Sequence, residues 1–285
     1  MNVPEAYARC EAITAEQARN FSYGIRLLPR EKRQAMSALY AMARRIDDVG
    51  DGNAPPDQKL SDLAAIRKDL AQISSRDKTA SADDPVLVAL ADAAQRFSLP
   101  MSALDELVDG CEMDVNGTTY RTFDDLVVYC RRVAGTVGRL SLGVYGSSDT
   151  ERAVALADAL GVALQITNIL RDVVEDLADM GRVYLPEQDR ERFGIGPGLE
   201  GPRDRLLALI LFEAARAEQW YEEGLQLLPL LDRRSRACTA AMAGIYRRLL
   251  TTIQHDPEAV LRGRISLGGG QKALIAARAL TRGAA

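Results

Sequence analysis

Two acidic clusters, far apart in the chain and alike in design, carry the residues best suited to chemistry. The first is Asp47-Asp48-Val49-Gly50-Asp51. The second lies within Asn168-Ile169-Leu170-Arg171-Asp172-Val173-Val174-Glu175-Asp176. Each holds carboxylates four residues apart, so on a helix each pair shares one face, where like charges cost ~0.2–0.5 kcal/mol. Asp51 also precedes Gly52 at a predicted helix C-terminus, where the macrodipole favours cations. A chain that accepts both penalties has something positive to bind. Carboxylate and amide oxygens without nearby His or Cys are hard ligands that suit Mg²⁺, with Mn²⁺ as a substitute, rather than zinc. Magnesium takes one or two carboxylates, keeps several waters and is completed by substrate phosphates. Two such clusters facing each other would clamp a diphosphate.

At roughly 100° per residue, Tyr40, Arg44, Asp47 and Asp51 fall within one arc of a helix, and Gln165, Asn168, Asp172 and Asp176 within one arc of another. Arg171 and Glu175 flank the second. The arginines supply planar forks for phosphate oxygens. The plainer alternative is that the carboxylates are solvated or paired with Arg44, Arg45 and Arg171. That suffices for one cluster, but not for two, one of them on an otherwise apolar helix.

The elements that must position these residues read as helices throughout, near 4–19, 30–50, 57–73, 84–97, 101–115, 122–145, 149–179, 203–228, 232–254 and 271–282. Residues 74–84 and 194–202 read as loops, and 19–24 as a hinge. The segment 149–179 is apolar around much of its circumference, which predicts a central buried helix. With no compositional break and no repeat, one all-α domain over 1–285 is expected.

The 285 residues are 47% hydrophobic and 27% charged, as in ordinary globular chains. A net charge of −4 lacks the basic footprint of a nucleic-acid binder. His255 is the sole histidine, which argues against Ser-His-Asp hydrolysis and His-ligated zinc. Cys10, Cys111, Cys130 and Cys238 are scattered and read as reduced thiols in the cytoplasm. No signal peptide opens the chain, and no apolar run approaches the ~18 residues of a membrane span.

Two further stretches stand out. Tyr129-Cys130-Arg131-Arg132-Val133-Ala134-Gly135-Thr136-Val137-Gly138 places glycines inside a helix at a cost of roughly 1 kcal/mol each, as where another helix or a substrate tail approaches the backbone. From residue type alone, Tyr129 reads as a core aromatic. Arg19-Asn20-Phe21-Ser22-Tyr23-Gly24 joins the first helix to Leu27-Leu28-Pro29.

With these residues assembled, the chain resembles the squalene/phytoene synthase family, which joins two prenyl diphosphates head to head. The likeness spans about 21–246. Its signatures are Tyr40-Ala41-Met42-Ala43-Arg44-Arg45-Ile46-Asp47-Asp48-Val49-Gly50-Asp51, Tyr129 with Ala134-Gly135-Thr136-Val137-Gly138, Gln165-Ile166-Thr167-Asn168-Ile169-Leu170-Arg171-Asp172 with Asp176, and Gly181-Arg182-Val183-Tyr184-Leu185-Pro186. The resemblance implies a helical isoprenoid-synthase bundle with a central cavity. By similarity, Asp47, Asp51, Asn168, Asp172 and Asp176 hold Mg²⁺. Arg19, Asn20, Tyr40, Arg44, Gln165, Arg171 and Tyr246 contact diphosphates, with Asn168 also at the substrate. Tyr129 sits near the departing diphosphate, where it or the released diphosphate takes the proton. Asn20 stands where relatives carry Ser-x-Ser. Arg264 and Lys272 remain from a thinned basic C-terminal stretch.

Within the family the reading leans to two farnesyl diphosphates closing to presqualene diphosphate without NADPH. The runner-up is a phytoene or dehydrosqualene synthase, which continues to a triene. A class I terpene cyclase and a non-catalytic prenyl-lipid-binding subunit are more distant rivals. A cytoplasmic protein touching the inner membrane surface transiently is expected, because substrates and product are amphipathic lipids, with downstream isoprenoid enzymes as partners.

Overall fold

The computed structural model describes residues 1–18, 20–74 and 83–282, and every regular element among them is helical. In chain order these are α1 (Val3–Gln17), α2 (Phe21–Ile25), α3 (Arg30–Asp51), α4 (Pro56–Ser74), α5 (Pro85–Arg96), α6 (Ser102–Val115), α7 (Phe123–Cys130), a π-helical turn (Arg131–Gly135), α8 (Thr136–Tyr145), α9 (Thr150–Arg171), α10 (Val173–Met180), α11 (Glu187–Phe193), α12 (Arg203–Gly224), a 3₁₀ turn (Leu225–Leu230), α13 (Arg233–His255), α14 (Glu258–Arg262) and α15 (Gly269–Arg282). Arg19 and most of the predicted loop 74–84 lie outside the described residues.

Local chemistry starts the helices that carry the site. Thr122 and Asp125 form a reciprocal capping box at the head of α7, satisfying backbone donors that the helix cannot. Asp149 accepts from the Arg152 amide at 3.1 Å and opens α9. Asp232 accepts from Arg234 and Ser235 at 2.9 and 3.2 Å and opens α13.

As its composition predicts, α9 is the central helix, packed against α12, α8, α13 and the π-helical turn. Ala153, Leu160, Ala163, Ile166 and Leu170 on it are buried. By length and composition α9 would be long and apolar enough to cross a membrane, with a mean hydropathy of 1.7, yet 67% of that window is buried inside the fold. This corrects the expectation that no apolar run nears the length of a membrane span: Asp158 is the one charged residue between Ala153 and Leu170.

The predicted glycines serve helix packing. A Cβ on Gly161 of α9 would stand 2.6 Å from the Gly135 Cα, and one on Gly138 2.6 Å from the Ala157 carbonyl oxygen. Both approaches require the missing side chain.

Several boundaries differ from the sequence reading. The single helix expected over 149–179 breaks at Asp172, whose φ of −103° and ψ of 9° separate α9 from α10. Asp172 still donates its amide to the Asn168 carbonyl at 2.9 Å, and Asp176 donates to the Asp172 carbonyl at 2.8 Å, so the break is a bend and not a gap. The helix expected over 122–145 contains the π-helical turn, a form that concentrates at functional sites. The short α2 begins within the predicted hinge at Phe21, and α11 and α14, of seven and five residues, were not foreseen because two turns or fewer are too brief for a periodic pattern.

Candidate active site

A cavity of about 770 Å³ runs between α3, α6, α7, α8, α9 and α13. Its lining separates by chemistry along the helices. On α3, Met36, Leu39 and Tyr40 line the inner part, and Arg44, Asp47 and Asp51 the mouth. At 1.5 Å per residue, Met36 lies about 16 Å from Asp47 along the axis. On α9, Ala157, Leu160, Gly161 and Leu164 line the inner part and Gln165, Asn168 and Asp172 the mouth. The two signature helices therefore run the same gradient, apolar within and acidic at the rim.

Ten of the residues singled out from sequence as catalytic, metal-holding or diphosphate-binding line this one cavity: Tyr40, Arg44, Asp47, Asp51, Tyr129, Gln165, Asn168, Arg171, Asp172 and Asp176. Asn20 and Tyr246 are not among its lining residues. Asn20 precedes α2 and makes no side-chain capping bond. Tyr246 on α13 turns its ring onto Phe21, centroids 5.7 Å apart, and is near enough to Arg171 to favour its charge.

The acidic groups are only partly compensated. Arg44 pairs with Asp47 at 3.1 Å and Asp48 at 2.5 Å, so part of the plainer alternative holds. Arg45 turns away to Asp84 at 2.9 Å. Arg171 Nε donates to Asp172 Oδ1 at 2.7 Å. Crowding by protein, and then the neighbouring Asp51, push the Asp47 carboxyl up to about 6 although it opens to the cavity. Burial, and then Asp172, push Asp176 up to about 7. Like charges gathered in a partly desolvated place resist ionisation.

Among the described residues, two buried atoms at the mouth have no partner: Asn168 Oδ1 and Arg44 Nε. Asn168 uses only its amide nitrogen, which donates to Gln165 Oε1 at 3.4 Å. An orphaned hard oxygen beside Asp172 and a spare guanidinium donor beside Asp47 fit a hydrated Mg²⁺ and an anionic oxygen respectively. Among the described residues no three acidic, His or Cys side chains are gathered into a closed cage, and an ion held through water and phosphate does not need one.

Sequence reasoning overlooked two residues. Arg182 Nη1 donates to Asp51 Oδ1 at 2.7 Å and its Nη2 to the Gly50 carbonyl at 3.2 Å, while its amide donates to the Asp176 carbonyl at 2.9 Å, so it touches both acidic arms. Gly181, with φ of 65°, ends α10 in the left-handed conformation and turns the chain so that Arg182 reaches α3. The signal was present in the Gly181-Arg182 signature. Asp114 lines the cavity beside Cys111 and Leu107 of α6, spaced three and four residues apart as one helix face requires. Arg264 also lines the cavity, 3.2 Å from Asp172 and 3.7 Å from Glu175.

Comparison with known proteins agrees with this geometry. The squalene/phytoene synthase family model matches residues 14–271. A phytoene synthase of Mycobacterium tuberculosis is 52% identical over 98% of this chain and 91% of its own length. A 4,4'-diapophytoene synthase of Staphylococcus haemolyticus is 33% identical over 88% of each. Among solved structures, a dehydrosqualene synthase superposes with a TM-score of 0.88 at 29% identity, covering 98% of this chain and 97% of that one. A squalene synthase from Alicyclobacillus acidocaldarius gives 0.80 at 30% identity, covering 89% and 94%. The chain belongs to the squalene/phytoene synthase family, and is a prenyltransferase of the kind that condenses prenyl diphosphates head to head.

Proposed function

We propose that this enzyme joins two geranylgeranyl diphosphates and carries the cyclopropyl intermediate on to phytoene, with Mg²⁺ and without NADPH. The observation that carries this choice is the 52% identity, across nearly the whole chain, to a phytoene synthase. It moves the weight from presqualene diphosphate, the product favoured by sequence reading, to the C40 runner-up.

In this reading Asp47, Asp51, Asn168, Asp172 and Asp176 hold the metal, and Arg44 and Arg171 hold diphosphate oxygens. Mg²⁺ neutralises charge on the leaving diphosphate when bound. Arg171, held by Asp172 at 2.7 Å, meets the same charge with a fixed guanidinium, which costs no reorganisation as the bond breaks. The apolar walls from Leu39, Val137, Leu140 and Leu160 hold the prenyl chains and exclude water, the competing nucleophile. The enzyme acts in the cytoplasm and meets the inner membrane surface transiently, because its product is a hydrocarbon.

The test is a product assay with purified protein, Mg²⁺ and either geranylgeranyl or farnesyl diphosphate, without NADPH. A C40 triene from the longer substrate, erased by EDTA, is expected. A C30 cyclopropyl diphosphate from farnesyl diphosphate alone would return the reading to presqualene synthesis, which the likeness to a solved squalene synthase favours. A product containing one prenyl unit would assign a cyclase.

A further inference from the structure

Tyr129 meets the cavity with its hydroxyl proton already committed. Its O–H donates to Asp114 Oδ2 at 2.8 Å, and the Tyr184 O–H donates to Asp114 Oδ1 at 2.9 Å. The rings of Tyr129, Tyr184 and Tyr120 pack together with centroids 5.2 to 6.2 Å apart, which holds the hydroxyl direction. A phenol has one proton and spare lone pairs. With the proton aimed at Asp114, a lone pair is left for the cavity, so Tyr129 offers an acceptor there and not a donor.

That arrangement resolves a chemical difficulty. A neutral phenol is a poor base unless it surrenders its own proton as it gains another. We propose that Tyr129 and Asp114 form a proton relay in which Asp114 is the terminal base for the proton lost during condensation. The proposal rests on the head-to-head reading above. In the step, a C–H bond of the cationic condensation product breaks and its electron pair closes the cyclopropane C–C bond. The proton moves to Tyr129 Oη while the Tyr129 O–H proton moves to Asp114 Oδ2. Tyr129 ends as neutral as it began, and the charge of the cation cancels that of the carboxylate.

The surroundings agree. Asp114 faces Arg182 and Tyr184 from the segment after α10, Tyr129 from α7, Tyr120 just before it, Asp51 and Asp47 from α3, Asp176 from α10 and Cys111 on its own helix. Burial outweighs Arg182 and the two hydroxyl donors, holding the Asp114 carboxyl above the usual range and making it a readier acceptor. Burial, and then Asp114, hold the Tyr129 phenol well above its ordinary value, so a tyrosinate base is not available.

The test uses the full chain with Mg²⁺ and the prenyl diphosphate that the wild type accepts, measuring diphosphate release and condensed product separately. Asp114→Asn keeps the shape and removes the base. The cyclopropyl product and the hydrocarbon derived from it should fall about 10²-fold, while KM and release of the first diphosphate stay near wild type and water captures the condensed cation as a tertiary alcohol that keeps the second diphosphate. Deuterium at the carbon that loses the proton should slow the variant more than the wild type. Tyr129→Phe should give the same signature, and the double variant should be no worse than either single one, as for groups acting as a unit. Product formation within about threefold of wild type in Asp114→Asn, or a parallel loss of diphosphate release and product, overturns the relay. If Asn at 114 prevents folding, Tyr129→Phe decides alone: uncoupled release supports the relay and full product formation overturns it. A wild type that makes no head-to-head product overturns the functional reading and the relay with it, an outcome distinct from failure of a variant.

Discussion

At the cavity mouth Asp47, Asp51, Asp172 and Asp176 border open space, whereas between α11 and α12 the buried Asp189 and Glu213 close on one guanidinium. There Arg216 reaches Asp189 at 2.6 Å and Glu213 at 3.0 Å, and lies 4.3 Å from the ring centroids of both Phe123 and Phe212. Both regions hold carboxylates whose protonation is displaced: burial pushes Glu213 up to about 7, much as it pushes Asp176. A displaced carboxylate therefore does not by itself mark a site. What distinguishes the mouth is space in front of the acids, and unpartnered Asn168 Oδ1 and Arg44 Nε among them. The inner knot has an orphan too, Glu213 Oε2, but aromatic rings fill the space around its arginine.

The largest effects should come from breaking the mouth. Asp47→Asn or Asp172→Asn should lower turnover by about 10³-fold or more, with the thermal midpoint nearly unchanged because each removes repulsion as well as charge. Unfolding by either variant, or retained turnover, would sink the clamp. Breaking the knot should do the reverse. Arg216→Met leaves two buried carboxylates without their cation and should cost about 3 kcal/mol of stability, while the activity of the folded fraction survives. Urea unfolding alongside a product assay separates the two.

Titration should sharpen the contrast. Unfolded carboxylates protonate near ~4, whereas Asp47, Asp176 and Glu213 protonate near 6, 7 and 7 in the fold. A raised folded value means the native state holds its proton more tightly. The stability these groups contribute is then full below about pH 4 and lost as pH rises through 6 to 7. Mg²⁺ with inorganic diphosphate should abolish the part due to the mouth by binding the ionised acids. The part due to the knot should persist with ligand and shrink only in Glu213→Gln. A thermal midpoint independent of pH between 5 and 8 would contradict both halves. The smallest effect belongs to Arg264→Gln, which removes a half-exposed partner of Asp172 and Glu175. It should change stability by less than about 1 kcal/mol and act mainly on the KM for prenyl diphosphate.

Much of this site was legible before any fold was known. Arg44, Asp47 and Asp51 share a face because helical periodicity puts them there, and α3 carries that face unbroken to Asp51. The second arm was legible as residues but not as geometry. Asp172 and Asp176 were expected on one straight helix with Asn168, and the bend at Asp172 follows from no residue type that breaks helices. Asn20 and Tyr246 were placed at the diphosphate by likeness alone; Tyr246 packs its ring on Phe21, and neither is among the residues that line the cavity.

Short-range order, then, was written in the chain: the helical class, the buried character of α9, the acidic arcs and the glycines at the α8–α9 contact. These depend on periods of three and four residues, which a sequence displays directly. Arg182 meeting Asp51 across 131 positions, and Tyr129 and Tyr184 converging on Asp114 from 15 and 70 positions away, came from tertiary packing. A contact of that kind depends on which helix ends lie side by side, and no local pattern records it.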